Sequence, residues 1–261
     1  MLVRNLALAL LITVPTLLRA EPVHAEVLRV TADPSCPYVC PDPQTPTTLA
    51  QQPGIIFEIL DAILGPAGIQ IRVEFLPYSR SLRSVQLGEH DAMLVTLKDD
   101  APSLYYHQTP IALAKGCFVT RSDNAWQYRG ISSLEQIRFG GTLGYKYGPL
   151  KAFIERSNPN KLMMSGEETF DRLLYMVEIG RLDATIEDIN VIDYRLKQLQ
   201  LTHKLHLAGC LPPMIPLYVG ISPHYPTKER LSNAIDQGLD DLKRSGQLHR
   251  IMQKYGFYVE R

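Results

Sequence analysis

Two segments of this chain carry the same phrase. Gln86-Leu87-Gly88-Glu89-His90-Asp91-Ala92-Met93-Leu94-Val95-Thr96 reads as a helix end, a glycine, two residues, Asp-Ala and a short apolar run closing on a polar residue. Glu178-Ile179-Gly180-Arg181-Leu182-Asp183-Ala184-Thr185-Ile186-Glu187-Asp188 reads the same way. Phe170, Leu173, Leu174 and Val177 recur at helical spacing ahead of the second copy. Gly180 follows where a helix end takes positive φ. Asp183 to Ile186 is short and β-branched and predicts a buried strand, with Glu187 and Asp188 at its carboxyl end. In open α/β sheets that end is where ligands bind. A five-residue match is weak by itself, but the flanking patterns agree as well. They predict two similar α/β lobes facing each other across a cleft.

Residues 1–25 read as an export signal outside the fold. Arg4 supplies a short positive region, Leu6 to Leu18 an apolar core too short to span a bilayer, and Val23-His24-Ala25 small residues at a cleavage site. A cut after Ala20 is the alternative. Export makes disulfides the expected state of the even cysteine set Cys36, Cys40, Cys117 and Cys210. Cys36 and Cys40 are close enough to staple one loop, and Cys117 with Cys210 would then form a second bridge, although spacing leaves the connectivity open. No metal site is expected, because Cys36/Cys40 lacks a matching Cys or His pair. His203 and His206 read as surface residues of a strand. Removing residues 1–25 leaves 25 Lys/Arg against 26 Asp/Glu, after the loss of Arg4, Arg19 and Glu21. That interspersed, near-neutral balance excludes the basic stripe of a nucleic-acid surface.

Along the chain, Glu26 to Ala32 alternates as a first strand and empties into a Pro-rich loop around Tyr38. Gly54 opens a helix through Ile63, Ile69 to Phe75 alternate as a second strand, and a helix from Ser81 reaches Gly88. This β-α-β-α-β order belongs to a mainly parallel sheet. An irregular stretch from Leu97 to Pro110 precedes a strand at Gly116 to Thr120. A second run of β-α units starts at Arg138. There Gly140, Gly141 and Gly144 lead through Tyr145-Lys146-Tyr147-Gly148 to a helix with Pro149 near its start. Such a helix N-terminus suits an anion, and an unliganded tight turn is the equal alternative. Leu217 to Ser222 returns as a strand, and helices over Leu231 to Leu242 and through Ile251 close the chain. Asp91 and Asp183 read as structural, bonding backbone N–H groups at the start of their strands.

Together these residues resemble extracellular solute-binding protein family 3, the periplasmic receptors of amino-acid ABC transporters. The likeness spans nearly all of residues 26–257 and rests on several pieces in order. These are Gly54 opening the first helix, the paired G-x-x-D-A segments, Thr185-Ile186-Glu187-Asp188, Tyr218 to Ser222 and the closing Ile251 to Phe257. The resemblance implies an α/β periplasmic binding protein-like fold of type II, two lobes joined by two crossing strands. Lobe 1 would take residues 26–113 and 217–261, and lobe 2 residues 117–212, with Cys117 and Cys210 near the crossovers.

Carried over position by position, the resemblance implies a ligand site. Tyr38 and Tyr78 match rings that pack on the ligand, and Asp33 matches a polar cleft residue. Thr96 matches a hydroxyl that receives a ligand carboxylate, Asp188 the carboxylate that pairs with an α-ammonium, and Glu187 precedes it. The family pattern T-x-x-R supplies a carboxylate-clamping Arg five residues after the Thr of this chain, and Ala101 stands there. Arg80, Arg83, Lys98 or Lys146 would have to substitute, and Arg80 and Lys146 join the expected ligand set. The implied function is capture of a small polar solute, an amino acid or related amine, for an inner-membrane ABC permease. The protein is expected in the periplasm as a monomer, without cofactor, metal or nucleic-acid partner. An enzyme on the same scaffold, like cyclohexadienyl dehydratase, is the first alternative, with Glu187 or Asp188 as acid or base. A receptor serving a sensory partner is the second. No G-x-S-x-G or H-E-x-x-H motif is present.

Overall fold

A computed structural model describes residues 26–145, 147–166 and 168–257. In chain order the described elements are β1 (Glu26–Ala32), α1 (Ile55–Leu64), β2 (Ile69–Phe75), α2 (Tyr78–Gln86), β3 (Ala92–Thr96), β4 (Tyr105–Tyr106), β5 (Ala112–Ala114) and β6 (Gly116–Arg121). They continue with β7 (Phe139–Thr142), α3 (Lys151–Glu155), β8 (Lys161–Met164), α4 (Thr169–Glu178), β9 (Ala184–Asp188), α5 (Ile189–Gln198), β10 (Leu205–Cys210), β11 (Ile215–Ile221), α6 (Lys228–Arg244) and α7 (Gln247–Lys254).

The strands form two sheets. One runs β2-β1-β3-β11-β4 with β5 also on β11, and the other β10-β6-β9-β7-β8. Each has the same plan: a parallel trio, β2-β1-β3 or β8-β7-β9, flanked by an antiparallel strand, β11 or β6. The repeated G-x-x-D-A phrase occupies equivalent places in the two plans. Gly88 and Gly180 take φ of 77° and 72°, values that cost a side chain but not glycine. Asp91 then accepts from the Arg29 backbone N–H at 2.7 Å and its guanidinium at 2.9 Å, and the Asp91 N–H returns a bond to the Arg29 carbonyl. Asp183 accepts from the Arg138 N–H at 2.8 Å and its guanidinium at 2.5 Å, with the same return bond. Each aspartate locks the start of its strand to the neighbouring strand, which is the structural role expected of them.

Apolar periodicity sets the packing. The buried face of α1 (Ile55, Ile56, Ile59, Leu60, Leu64) meets Leu28 and Val30 of β1 and Ile235 and Leu239 of α6 in one core. The second sheet carries a core on each face, one around Phe118, Phe139 and Phe153 and the other around Leu173, Leu174, Val177 and Ile192. Cys36 is bonded to Cys40 and Cys117 to Cys210, the latter pair in register across β6 and β10. Among the described residues no helix is long and apolar enough to cross a membrane.

Three local expectations shift. The second helix begins at Tyr78, not Ser81, because Pro77 suits the position before a first turn and Ser81 bonds back to the Pro77 carbonyl. Strand β9 runs on through Glu187 and Asp188, paired to Cys117 and Gly116 of β6. The glycine-rich stretch leads into a 3₁₀ turn at Gly148–Leu150 and a helix of five residues, so it forms no long helix dipole aimed at a ligand. The expected export signal at residues 1–25 lies outside the described residues.

Candidate functional site

The loop after β1, held by the Cys36–Cys40 bridge, folds Tyr38 inward until the residue is almost fully buried. Gly54 makes this possible. Its φ is 103°, and a Cβ there would sit 2.4 Å from the Tyr38 carbonyl oxygen. The Tyr38 ring stands edge-on to Phe257 at 5.5 Å, and its hydroxyl donates to Asp188 Oδ1 at 2.9 Å while accepting from Asn190 Nδ2 at 3.0 Å. A reciprocal contact runs the other way. Tyr145, in the loop after β7, donates its hydroxyl to Asp33 Oδ2 at 3.1 Å. Each sheet's segment of chain therefore gives one tyrosine and one carboxylate to the boundary between the two sheets.

A cavity of about 100 Å³ lies at this boundary. Its polar lining is Asp33, Ser35, Thr96, Asp100, Glu187 and Asp188, with the rings of Tyr38, Tyr78, Tyr145 and Tyr147 around them. Val95, Leu97, Ala114, Val191, Ile215 and Leu217 supply the apolar wall. Six of the eight residues expected to bind a ligand, Asp33, Tyr38, Tyr78, Thr96, Glu187 and Asp188, thus meet in one place. Arg80 does not. It is exposed on α2 and does not line the cavity, and Arg83 and Lys98 are likewise exposed. Lys98 sits 4.0 Å over the Tyr218 ring. Lys146 lies outside the described residues. Ala101, at the position of the family's clamp, is fully buried in an apolar cluster with Val85, Met93 and Leu104.

The carboxylates differ in what already satisfies them. Asp188 caps α5, accepting from the Asn190 and Val191 N–H groups, and also takes the Lys115 N–H at 2.7 Å and the Tyr38 hydroxyl. Burial raises its pKa, and these donors oppose the rise. Asp33 is pushed up to about 7 by burial, against bonds from the Tyr145 hydroxyl and the Tyr78 N–H. Glu187 accepts from the Asp188 N–H at 2.9 Å. Burial, with the fields of Asp188 and Asp33 adding to it, pushes Glu187 up to about 8. Desolvation disfavours the ionised form of each, and partial pairing does not compensate.

Four contributors to the lining escaped the sequence reading as ligand-site residues: Ser35, Asp100, Tyr145 and Tyr147. Asp100 accepts the Tyr78 hydroxyl at 3.1 Å. Tyr147 adopts φ 54°, and its hydroxyl accepts from the Thr142 N–H at 2.6 Å. The signal at 140–148 was the glycines: Gly144 lets this loop approach Ser79 of the opposite lobe, while Gly140 and Gly141 admit Leu173, Leu182 and Met163 of their own. His107 is buried. It donates from Nδ1 to the Thr109 carbonyl and accepts the Val219 N–H at Nε2, and burial lowers its pKa to about 4 against the opposing effect of the Thr109 bond.

No protein-family model matches the chain. A probable amino-acid-binding protein of Bacillus subtilis (strain 168), YxeM, is 23% identical over 205 residues, which cover 77% of this chain and 75% of that protein. Among solved structures, an ancestral arginine-binding protein bound to arginine superposes with a TM-score of 0.73 at 16% identity, covering 88% of this chain and 98% of that one. An ancestral amino-acid-binding protein described as a precursor of cyclohexadienyl dehydratase gives 0.68 at 19% identity, covering 88% and 94%. The chain is therefore similar in sequence to an amino-acid-binding protein and has the two-lobed α/β fold of the amino-acid-binding proteins.

Proposed function

We propose that this chain is an exported solute-binding protein that captures a small polar solute, an amino acid or related amine, for an ABC transporter. One observation carries the reading: the cavity is built from half-sites on both sheets, so only the closed arrangement completes it. Lobe 1, residues 26–113 and 217–261, contributes Asp33, Tyr38, Tyr78 and Thr96. Lobe 2, residues 117–212, contributes Tyr145, Tyr147, Glu187 and Asp188. Solute binding then biases an open–closed equilibrium, and an inner-membrane permease distinguishes loaded from empty protein by that shape. The protein works as a periplasmic monomer once residues 1–25 are removed. Thermal shift against amino acids, polyamines, organic acids and short peptides tests this, since a ligand of the native state raises the melting temperature by mass action. A response to none of them would sink it.

A second reading draws on Glu187. A buried carboxyl that holds its proton near neutral pH is suited to general acid work, as a dehydratase requires. Product analysis after incubation with any compound that binds separates the two: unchanged ligand supports the receptor, and turnover supports the enzyme.

A further inference from the structure

The cavity is a set of acceptors with few donors left. Four carboxyl groups line it, Asp33, Asp100, Glu187 and Asp188, and among the described lining residues there is no Lys, Arg or His. Three of the four tyrosine hydroxyls already give their hydrogens to carboxylates: Tyr38 to Asp188, Tyr78 to Asp100 and Tyr145 to Asp33. Most of the groups that would otherwise greet an anion are committed. Asp188 has its own donors from the α5 N-terminus and Lys115, so it holds its place without a ligand. Glu187, by contrast, accepts only from the Asp188 N–H among the described residues, leaving Oε2 for a guest. Ser35 points the same way: the residue lines the cavity, and its buried Oγ has no hydrogen-bond partner among the described residues. A buried hydroxyl without a partner is costly unless something else satisfies it.

We infer that the solute is an organic cation without a carboxylate, an aliphatic ammonium or guanidinium compound, whose charged head is received by Asp33 and Glu187 and contacts Ser35. The inference rests on the solute-binding reading and narrows it. A cation favours the ionised form of these buried carboxyls and pairs with them through charge-assisted hydrogen bonds. Its methylenes meet Val95, Leu97, Ala114 and the faces of the tyrosines, which also favour positive charge. A zwitterionic amino acid would bring a second carboxylate among those already present, with few uncommitted donors to meet it.

Matched pairs of compounds differing only by a carboxylate test this: agmatine against arginine, putrescine against ornithine, cadaverine against lysine. Titration calorimetry on the exported protein is expected to give the amine of at least one pair a Kd ten-fold or more below that of its amino acid. Glu187→Gln and Asp33→Asn are each expected to weaken amine binding at least ten-fold. Ser35→Ala removes an atom without a hydrogen-bond partner among the described residues, so it keeps the test independent of folding; it should weaken the amine several-fold with the empty protein's Tm unchanged or raised. Equal or tighter binding of the amino acids would overturn the inference while leaving the solute receptor intact. Loss of that binding in Lys146→Met would then identify the carboxylate's partner. Silence from amines, amino acids and acids alike would overturn both.

Discussion

Asp33 and Glu187 carry a cost that depends on pH. Their carboxyls titrate near 7 and 8 in the folded chain but near 4 when unfolded. A carboxyl whose folded pKa is raised contributes stability that is full below the unfolded value and lost as pH rises through the folded one. The empty protein should therefore lose stability as pH climbs through 7 and 8. His107 has the opposite sign. Its folded pKa near 4 makes its contribution complete above about 6.5 and lost as pH falls toward 4. The window from pH 6.5 to 8.5 thus isolates the two carboxyls. Denaturant midpoints measured across it should fall with pH, and Asp33→Asn with Glu187→Gln should flatten the slope. A flat profile in the parent protein would contradict the burial of these groups without a compensating charge. Identity and position together made both residues visible in the sequence, since each ends a strand at the carboxyl edge. Their isolation was not visible, because it depends on Arg80, Arg83 and Lys98 pointing elsewhere.

Among the elements, the junctions before β3 and β9 were legible because a glycine with positive φ and an aspartate two bonds from a neighbouring strand have a local logic. Asp91→Ala and Asp183→Ala should each destabilise the protein by about 1 kcal/mol, the loss of one backbone hydrogen bond. Their exposed guanidinium contacts add little, so the two variants should match in urea titrations despite lying in different lobes. Asp188 is a different case. As the cap of α5 it accepts two helix N–H groups, and Asp188→Ala should cost about 2 kcal/mol, with Asp188→Asn recovering much of it. A loss confined to ligand affinity, with stability unchanged, would show that the cap is dispensable. The start of α2 was misjudged, and the length of α3 was not legible, for one reason. Prolines and glycines mark a turn without saying whether three residues or ten continue from it. Tyr145 went unread because its role depends on a partner more than a hundred residues away, Asp33.

At the scale of the molecule, closure depends on how near two backbones can come. Gly144, in the loop after β7, approaches Ser79 at the start of α2, and the Ser79 hydroxyl donates to the adjoining Leu143 carbonyl at 3.3 Å. A Cβ on Gly144 would lie 2.4 Å from Ser79 Oγ and 3.6 Å from its Cβ, and the glycine has φ 95°. Gly144→Ala therefore imposes two costs, a clash across the cleft and a strained backbone within one lobe. Only the first acts on closure. The variant should bind solute at least ten-fold more weakly, and small-angle scattering of the saturated protein should show a larger radius of gyration than the parent. Adding Ser79→Ala removes the atom at 2.4 Å while leaving the φ strain. If the cavity is completed by lobe closure, the double variant should recover most of the affinity and the compact radius without recovering stability. Recovery of neither would mean that strain at residue 144 disturbs Tyr145 and its bond to Asp33 directly, and that the approach of α2 to this loop does not govern closure.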